Sequence, residues 1–185
     1  MKYIGIILLS LICFNPPGND FYTCKNAKIS LYSSSPLEDI KGATSTGVSV
    51  YNASTGELGF NVTISSFQFD QSLMKEHFNT DYLESDKYPR ASFKGKIEQN
   101  VDLTKDGTYQ IAVTGDLNIH GVTKKRTIQG TFIIKNGVIN MSSEFIVKCA
   151  DHDIKIPQIV FHNIAENIKM NVAATYTEYK NNQSK

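Results

Sequence analysis

The sequence predicts an all-β fold, an antiparallel barrel of about eight strands with one or two short helices. From Tyr109 to Ile119 every odd position is apolar, aromatic or glycine, and this alternation is typical of a strand with one buried face. Tight-turn pairs such as Asp106-Gly107 and Asn136-Gly137 separate such runs, and Asn-Gly favours a two-residue hairpin. Antiparallel strands of this length and number need their edges covered, and closure into a barrel removes the edges.

Each strand is an alternating or β-branched run bounded by glycine, proline or polar turn residues. The turn at His120-Gly121 is short enough to join two of the runs directly. We expect the strands at residues 27–33, 41–51, 58–65, 91–98, 108–119, 122–135, 138–147 and 165–179.

One helical segment interrupts the strands. Asp70 is a suitable N-cap residue, and a one-face helical spacing follows it, formed by Leu73, Met74, His77 and Phe78. A second short turn is expected to start at Thr80 or Asp81. Tyr88-Pro89 returns the chain to an extended conformation, because the residue before proline avoids the helical region.

The N-terminus is expected to be a signal peptide rather than part of the fold. Lys2 precedes an apolar run that is too short to span a bilayer comfortably, as in secretory signals. We therefore divide the chain into a signal segment 1–20, a barrel domain 21–180 and a frayed tail 181–185. The expected location is periplasmic or secreted. A lipoprotein is less favoured, because Ile12 before Cys13 is too large for the usual lipidation site.

Composition and motifs argue against several function classes. The chain has 185 residues and a net charge of +1, whereas nucleic-acid binders usually carry a strongly basic face. No nucleophile elbow, phosphate-binding loop or dinucleotide fingerprint occurs, so we expect no enzyme activity and no cofactor. Asp151-His152-Asp153 with His162 could in principle hold zinc, but a polar loop is the favoured interpretation and no metal is expected.

Two cysteines of the barrel domain, Cys24 and Cys149, could form a disulfide in an exported protein. Free, buried thiols are the favoured interpretation. The apolar faces of three strands contain glycines, Gly95, Gly115 and Gly130. Such glycines either leave space for a ligand in the barrel or let the strands bend at its corners, and the sequence leaves both interpretations open.

Several segments resemble the YceI-like family. The resemblance covers almost the whole chain after the signal segment, and Gly115-Asp-Leu-Asn-Ile-His-Gly-Val-Thr-Lys-Lys125 is similar to the family signature G-x-L-x-I-H-G-V-T-K. The other matching segments are Phe67-Gln-Phe69, Leu73-Met-Lys-Glu-His-Phe78, Tyr82-Leu-Glu-Ser-Asp-Lys-Tyr-Pro89 and Asp153-Ile-Lys-Ile-Pro157. Pro36-Leu-Glu-Asp-Ile40 looks most like versions from Bacteroidetes-type bacteria. The resemblance implies an exported, lipocalin-like barrel that binds polyisoprenoid lipids in an elongated internal cavity.

The leading hypothesis is thus non-enzymatic binding, storage or transport of a long isoprenoid lipid, such as a quinone or a polyprenyl phosphate. The alternative is an envelope stress or interaction module whose barrel is filled by its own side chains. No nucleic-acid partner and no integral membrane segment are expected, and the oligomeric state is open, a dimer included. Burying about ten lipid carbons at roughly 0.8 kcal/mol each gives about 8 kcal/mol, or micromolar affinity.

The candidate cavity wall consists of residues at the alternate positions that form the apolar face of each strand: Phe60, Phe93, Ile111, Val113, Gly115, Leu117, Phe132, Phe145 and Met170. Residues of the helical region are expected to cap one end: Phe67, Phe69, Met74 and Phe78. The basic run Lys124-Lys125-Arg126 could meet a headgroup, although a solvated turn is the favoured interpretation. Gly115→Phe is expected to fill the cavity and abolish lipid uptake while leaving the fold largely intact.

Overall fold

The computed structural model describes residues 20–34, 39–156 and 166–179. Most of the predicted signal segment and the predicted tail 181–185 lie outside this range. The strands are β1 Phe21–Ser33, β2 Ile40–Asn52, β3 Glu57–Thr63, β4 Gln68–Phe69, β5 Arg90–Ile97, β6 Gly107–Ile119, β7 Val122–Lys135, β8 Val138–Lys148 and β9 Asn167–Glu178. Eight of them form a closed antiparallel barrel in the order β1-β9-β8-β7-β6-β5-β3-β2, and β2 pairs with β1 to complete the ring. The predicted fold class is confirmed.

The short strand β4 pairs with β2 at Gly42 and Ala43 and extends the sheet outside the ring.

Strand β1 is longer than the sequence predicted, since it begins at Phe21 rather than at residue 27. Its pairing with β2 shifts register between Cys24 and Ala27 and again between Ala27 and Ile29. Bulges of this kind insert residues into one strand. They interrupt the alternation of buried positions, and this is why the first half of β1 did not show a strand pattern.

Both predicted tight turns are present, and the two-residue hairpin that Asn136-Gly137 favours is confirmed. At β6–β7, His120 and Gly121 have φ angles of 53° and 74°, and at β7–β8, Asn136 and Gly137 have 50° and 75°. Positive φ at both central residues is the requirement of a type I′ turn, whose twist matches that of the flanking strands.

The helical segment between β4 and β5 differs from the prediction in two details. Helix α1 spans Ser72–His77 and is preceded by Gln71 in an extended conformation, so Asp70 is not its N-cap. Pairing of Phe69 with Gly42 in the β4–β2 ladder keeps the chain extended up to this point. A π-helical turn, Phe78–Tyr82, then continues α1 directly, instead of starting at Thr80 or Asp81.

Single turns of 3₁₀ helix occur at Ile64–Ser66 and Cys149–His152. Within the part of the chain described here, no helix is long and apolar enough to cross a membrane.

The two ends of the barrel are packed differently. At one end the rings of Tyr51, Phe132 and Tyr176 lie 5.5 to 6.5 Å apart between centroids. The Tyr176 hydroxyl there lies 2.6 Å from Ser49 Oγ, which donates to the Gly59 carbonyl at 2.7 Å. We call this the closed end. A second apolar cluster lies towards α1 and includes Ile29, Leu31, Ile40, Val62 and Phe67.

Candidate functional site

Two adjacent apolar cavities occupy the barrel interior. The inner cavity, about 110 Å³, lies among β1, β3 and β5–β9. The helix-side cavity, about 140 Å³, lies beneath α1 and the π-helical turn. The described residues of both walls present almost no polar atoms. Six residues line both cavities and form the divide between them: Ile29, Val62, Ala91, Ile119, Val147 and Met170.

The structure brings most of the predicted wall residues together. The inner cavity is lined by Phe60, Phe93, Ile111, Val113, Leu117, Phe145 and Met170. The predicted cap residues Phe67, Phe69, Met74 and Phe78 line the helix-side cavity. The Phe78 ring lies 4.9 Å from that of Phe69 and 5.5 Å from that of Phe67, so α1 covers this end of the barrel with aromatic surface. Contact of these residues with a ligand stays a prediction.

Phe132 has the predicted inward direction but borders neither cavity. Its side chain is fully buried at the closed end, where its ring contacts Tyr51 edge-on at 5.5 Å. Alternation along a strand gives the face on which a residue lies, but it does not give its height along the barrel.

The glycines are explained mainly by close backbone approach. Gly95 and Gly115 face each other across β5 and β6, and a Cβ added to Gly115 would lie 2.3 Å from both Gly95 Cα and the Lys94 carbonyl oxygen. The expectation that Gly115 leaves space for a ligand is therefore wrong, and Gly115→Phe cannot serve as a cavity-filling variant. Gly130 does border the inner cavity, with the Ser142 carbonyl 3.1 Å from an added Cβ.

The predicted basic run lies outside both cavities. Lys124 and Lys125 are exposed. Arg126 is partly buried, donates from Nη2 to the Ile146 carbonyl at 2.8 Å, and places Nη1 3.9 Å from the Asp151 carboxylate. Arg126 thus links β7 to β8 and to the turn that follows β8.

Two histidines tie the loops together at the helix-side end. His120 Nε2 lies 2.7 Å from the Glu84 carboxylate, and its Nδ1 lies 3.1 Å from the His152 carbonyl. The Tyr88 ring packs edge-on against the His120 ring, with centroids 4.5 Å apart. This contact fixes the segment after the π-helical turn to the β6–β7 hairpin.

His152 is fully buried, and its Nδ1 lies 3.1 Å from the Val122 carbonyl oxygen. Burial lowers the pKa of His152, which favours a neutral ring donating through Nδ1–H. Among the described residues no three His, Cys, Asp or Glu side chains are placed to share a metal ion. His162 lies outside the described residues.

Cys24 and Cys149 are free and buried. Cys149 borders the helix-side cavity, and burial raises the pKa of its thiol to about 11. The thiol therefore stays protonated near neutral pH and contributes to the cavity as a small apolar group.

Five residues of the divide were not among the predicted wall residues: Ile29, Val62, Ala91, Ile119 and Val147. For Ala91 the sequence did indicate an inward direction, because Ala91 precedes Phe93 and Gly95 at two-residue spacing. The bulges of β1 concealed the inward direction of Ile29. That these residues separate two cavities depends on distances across the barrel, for which the sequence carries no signal.

Solved structures share this fold at low sequence identity. A polyisoprenoid binding domain from Saccharophagus degradans superposes with a TM-score of 0.73 at 14% identity, covering 86% of this chain and 99% of that one. BcnA from Burkholderia cenocepacia gives 0.69 at 15% identity, with 80% and 95% coverage. The YceI protein of Campylobacter jejuni gives 0.62 at 20% identity, with 78% and 88% coverage.

Sequence comparison gives the family. A UPF0312 protein from Vibrio parahaemolyticus is 29% identical over 83 residues, a segment that spans 44% of this chain and only 41% of that protein. The sequence profile of the YceI-like domain matches residues 24–176, which is most of the chain. The protein therefore belongs to the YceI-like domain family.

Proposed function

We propose that this protein binds a long isoprenoid lipid inside the barrel and stores or carries it, without catalysing a reaction. The observation that carries the proposal is the pair of adjacent apolar cavities. The structural neighbour described as a polyisoprenoid binding domain supports the same ligand class. An isoprenoid quinone or a polyprenyl phosphate combines a long apolar chain with one polar end.

The cavity dimensions fit a slender chain better than a bulky one. An apolar protein cavity of about 150 Å³ holds a molecule the size of benzene, so each cavity in this barrel accommodates a short branched segment. A longer chain passes through the divide only if Met170 and its neighbours change rotamer. Methionine suits this role, because its unbranched thioether adapts to irregular spaces.

The polar end of the lipid needs a different environment. A polar group buried without a hydrogen-bond partner loses several kcal/mol, and the described walls of both cavities offer almost no partner. We therefore place the headgroup at an opening of the barrel. The apolar N-terminal run supports export to the periplasm or beyond, where such a carrier would bridge membranes.

Identification of the bound molecule tests the proposal. We expect native mass spectrometry of protein purified from its own host to show a mass addition at about 1:1, and organic extraction to release a prenyl lipid. An empty barrel under both methods would contradict the proposal and favour the interaction-module alternative. Protein denatured before extraction, which should release the same lipid, is the control for incomplete recovery.

A further inference from the structure

The barrel wall is incomplete between β7 and β8. Strand β7 pairs with β6 from Val122 to Ile134, and β8 pairs with β9 from Ile139 to Lys148. Both strands lie wholly within the described residues, yet they pair with each other only from Thr131–Ser142 to Lys135–Val138. Beyond this ladder, residues 122–130 of β7 and 143–148 of β8 diverge. We call this unpaired stretch the seam.

Side chains replace the missing backbone ladder along the seam. Ser143 Oγ donates to the Gln129 carbonyl at 2.6 Å, and Arg126 Nη2 donates to the Ile146 carbonyl at 2.8 Å. At the far end, His152 Nδ1 lies 3.1 Å from the Val122 carbonyl. A side-chain hydrogen bond is released by one rotamer change, whereas a β-ladder opens only if two strands move apart.

The seam borders the inner cavity directly. Ile128 of β7 and Phe145 of β8 line that cavity and are only partly buried. Phe132 and Ile139, which face inward where the ladder is intact, are 0% exposed. Outside the barrel, a groove of about 910 Å³ borders the seam. Five residues line both this groove and the inner cavity: Ile29 and Val172 in the paired β1–β9 ladder, and Gln129, Gly130 and Ser143 at the seam.

We propose that the seam is a lateral portal through which an apolar chain enters the inner cavity, with Arg126 as its latch. This inference rests on the proposed function and adds the route and the position of the polar end. The chain passes between Ile128 and Phe145, and the polar end stays at the seam beside Arg126, Gln129 and Ser143, where hydrogen-bonding groups are present.

A covalent staple across the seam tests the portal. Continuing the β7–β8 register from Thr131–Ser142 places Thr127 opposite Ile146, and both side chains are exposed. The variant Thr127→Cys/Ile146→Cys is joined with a short bis-maleimide, and uptake of trans-parinaric acid is followed by stopped-flow fluorescence. The matched control is Asn140→Cys/Thr175→Cys, an exposed pair in the continuous β8–β9 ladder.

We expect the seam staple to slow probe uptake by at least about tenfold relative to the same variant before cross-linking. Once the seam is cross-linked, the probe must enter by another route with a higher free-energy barrier. The β8–β9 staple should leave the rate unchanged. Equal rates for stapled and unstapled seam would overturn the portal while leaving lipid binding intact. A protein that takes up no probe in any form would contradict the proposed function and the portal with it.

A point substitution tests the latch separately. Arg126→Ala removes the solvent-exposed hydrogen bond to the Ile146 carbonyl. We expect uptake and release both to become about fivefold faster, which corresponds to about 1 kcal/mol, the usual net contribution of one such bond. Lys125→Ala removes the same charge from the adjacent exposed position and should change neither rate. Identical kinetics for the two variants would show that Arg126 does not hold the seam closed.

Discussion

At the scale of single residues, the Gly95–Gly115 contact makes a quantitative prediction. Gly115→Ala would place a methyl group 2.3 Å from two backbone atoms of β5, so the strands must separate locally. We expect the free energy of unfolding to fall by about 3 kcal/mol, the upper range for overpacking, measured by urea denaturation. Gly59→Ala is the control, because an added Cβ there has no neighbour within 4 Å. Equal stabilities of the two variants would show that close approach of the β5 backbone does not require glycine at position 115.

The same residues show what alternation can predict. Period-2 spacing correctly placed Phe93, Ile111 and Phe145 on the inner face, because strand geometry turns every second side chain the same way. It gave the same assignment to Phe132 and Gly115, which border neither the inner nor the helix-side cavity. Their positions depend on how close the facing strands come, and that distance follows from the curvature of the closed barrel.

At the scale of elements, the two type I′ hairpins can be compared directly. Gly121 and Gly137 have nearly identical φ angles, 74° and 75°, so alanine adds similar backbone strain at both, about 1 to 2 kcal/mol. At Gly121 the new Cβ would also lie 2.5 Å from the Tyr88 ring, whereas at Gly137 it has no neighbour within 4 Å.

We therefore expect Gly121→Ala to destabilise the protein by about 1 kcal/mol more than Gly137→Ala, because Tyr88 must leave its packing against His120. Thermal unfolding of the two variants side by side measures the difference. A larger loss in Gly137→Ala would mean that the Tyr88–His120 contact does not support the hairpin.

Elements were predictable where turn chemistry was local. His120-Gly121 and Asn136-Gly137 indicated both hairpins, since glycine adopts positive φ without a steric cost, and histidine and asparagine adopt it more readily than most residues. The start of β1 was missed because its bulges disturb the alternation. The N-cap of helix α1 is Gln71 rather than Asp70, because the Phe69–Gly42 pair extends the sheet up to Asp70. In each case a partner distant in sequence decided the local boundary.

At the scale of the whole molecule, the barrel is filled at one end and hollow at the other. Strand number and turn spacing predicted closure, and the closed ring confirms it. The position of the hollow part could not be predicted in the same way. The barrel is filled where large rings such as Tyr51 and Tyr176 meet across it. It is hollow where small residues such as Ala91 leave the facing side chains apart.

Ala91 gives the sharpest test of a continuous lipid path. Its side chain borders both cavities, and Ala91→Phe would place a ring in the divide. Because the ring enters existing space, we expect the fold to be retained, with a loss of unfolding free energy below about 2 kcal/mol. Affinity for trans-parinaric acid, measured by fluorescence titration, should fall at least about tenfold, since part of the buried chain is displaced.

Phe132→Leu at the closed end separates this effect from general loosening of the barrel. Phe132 borders neither cavity, so the substitution should lower stability by about 1 to 2 kcal/mol and leave probe affinity within about twofold of the wild type. If folded Ala91→Phe protein binds the probe as tightly as Phe132→Leu protein does, the ligand occupies only one cavity. The two cavities would then act as separate sites rather than as one channel through the divide.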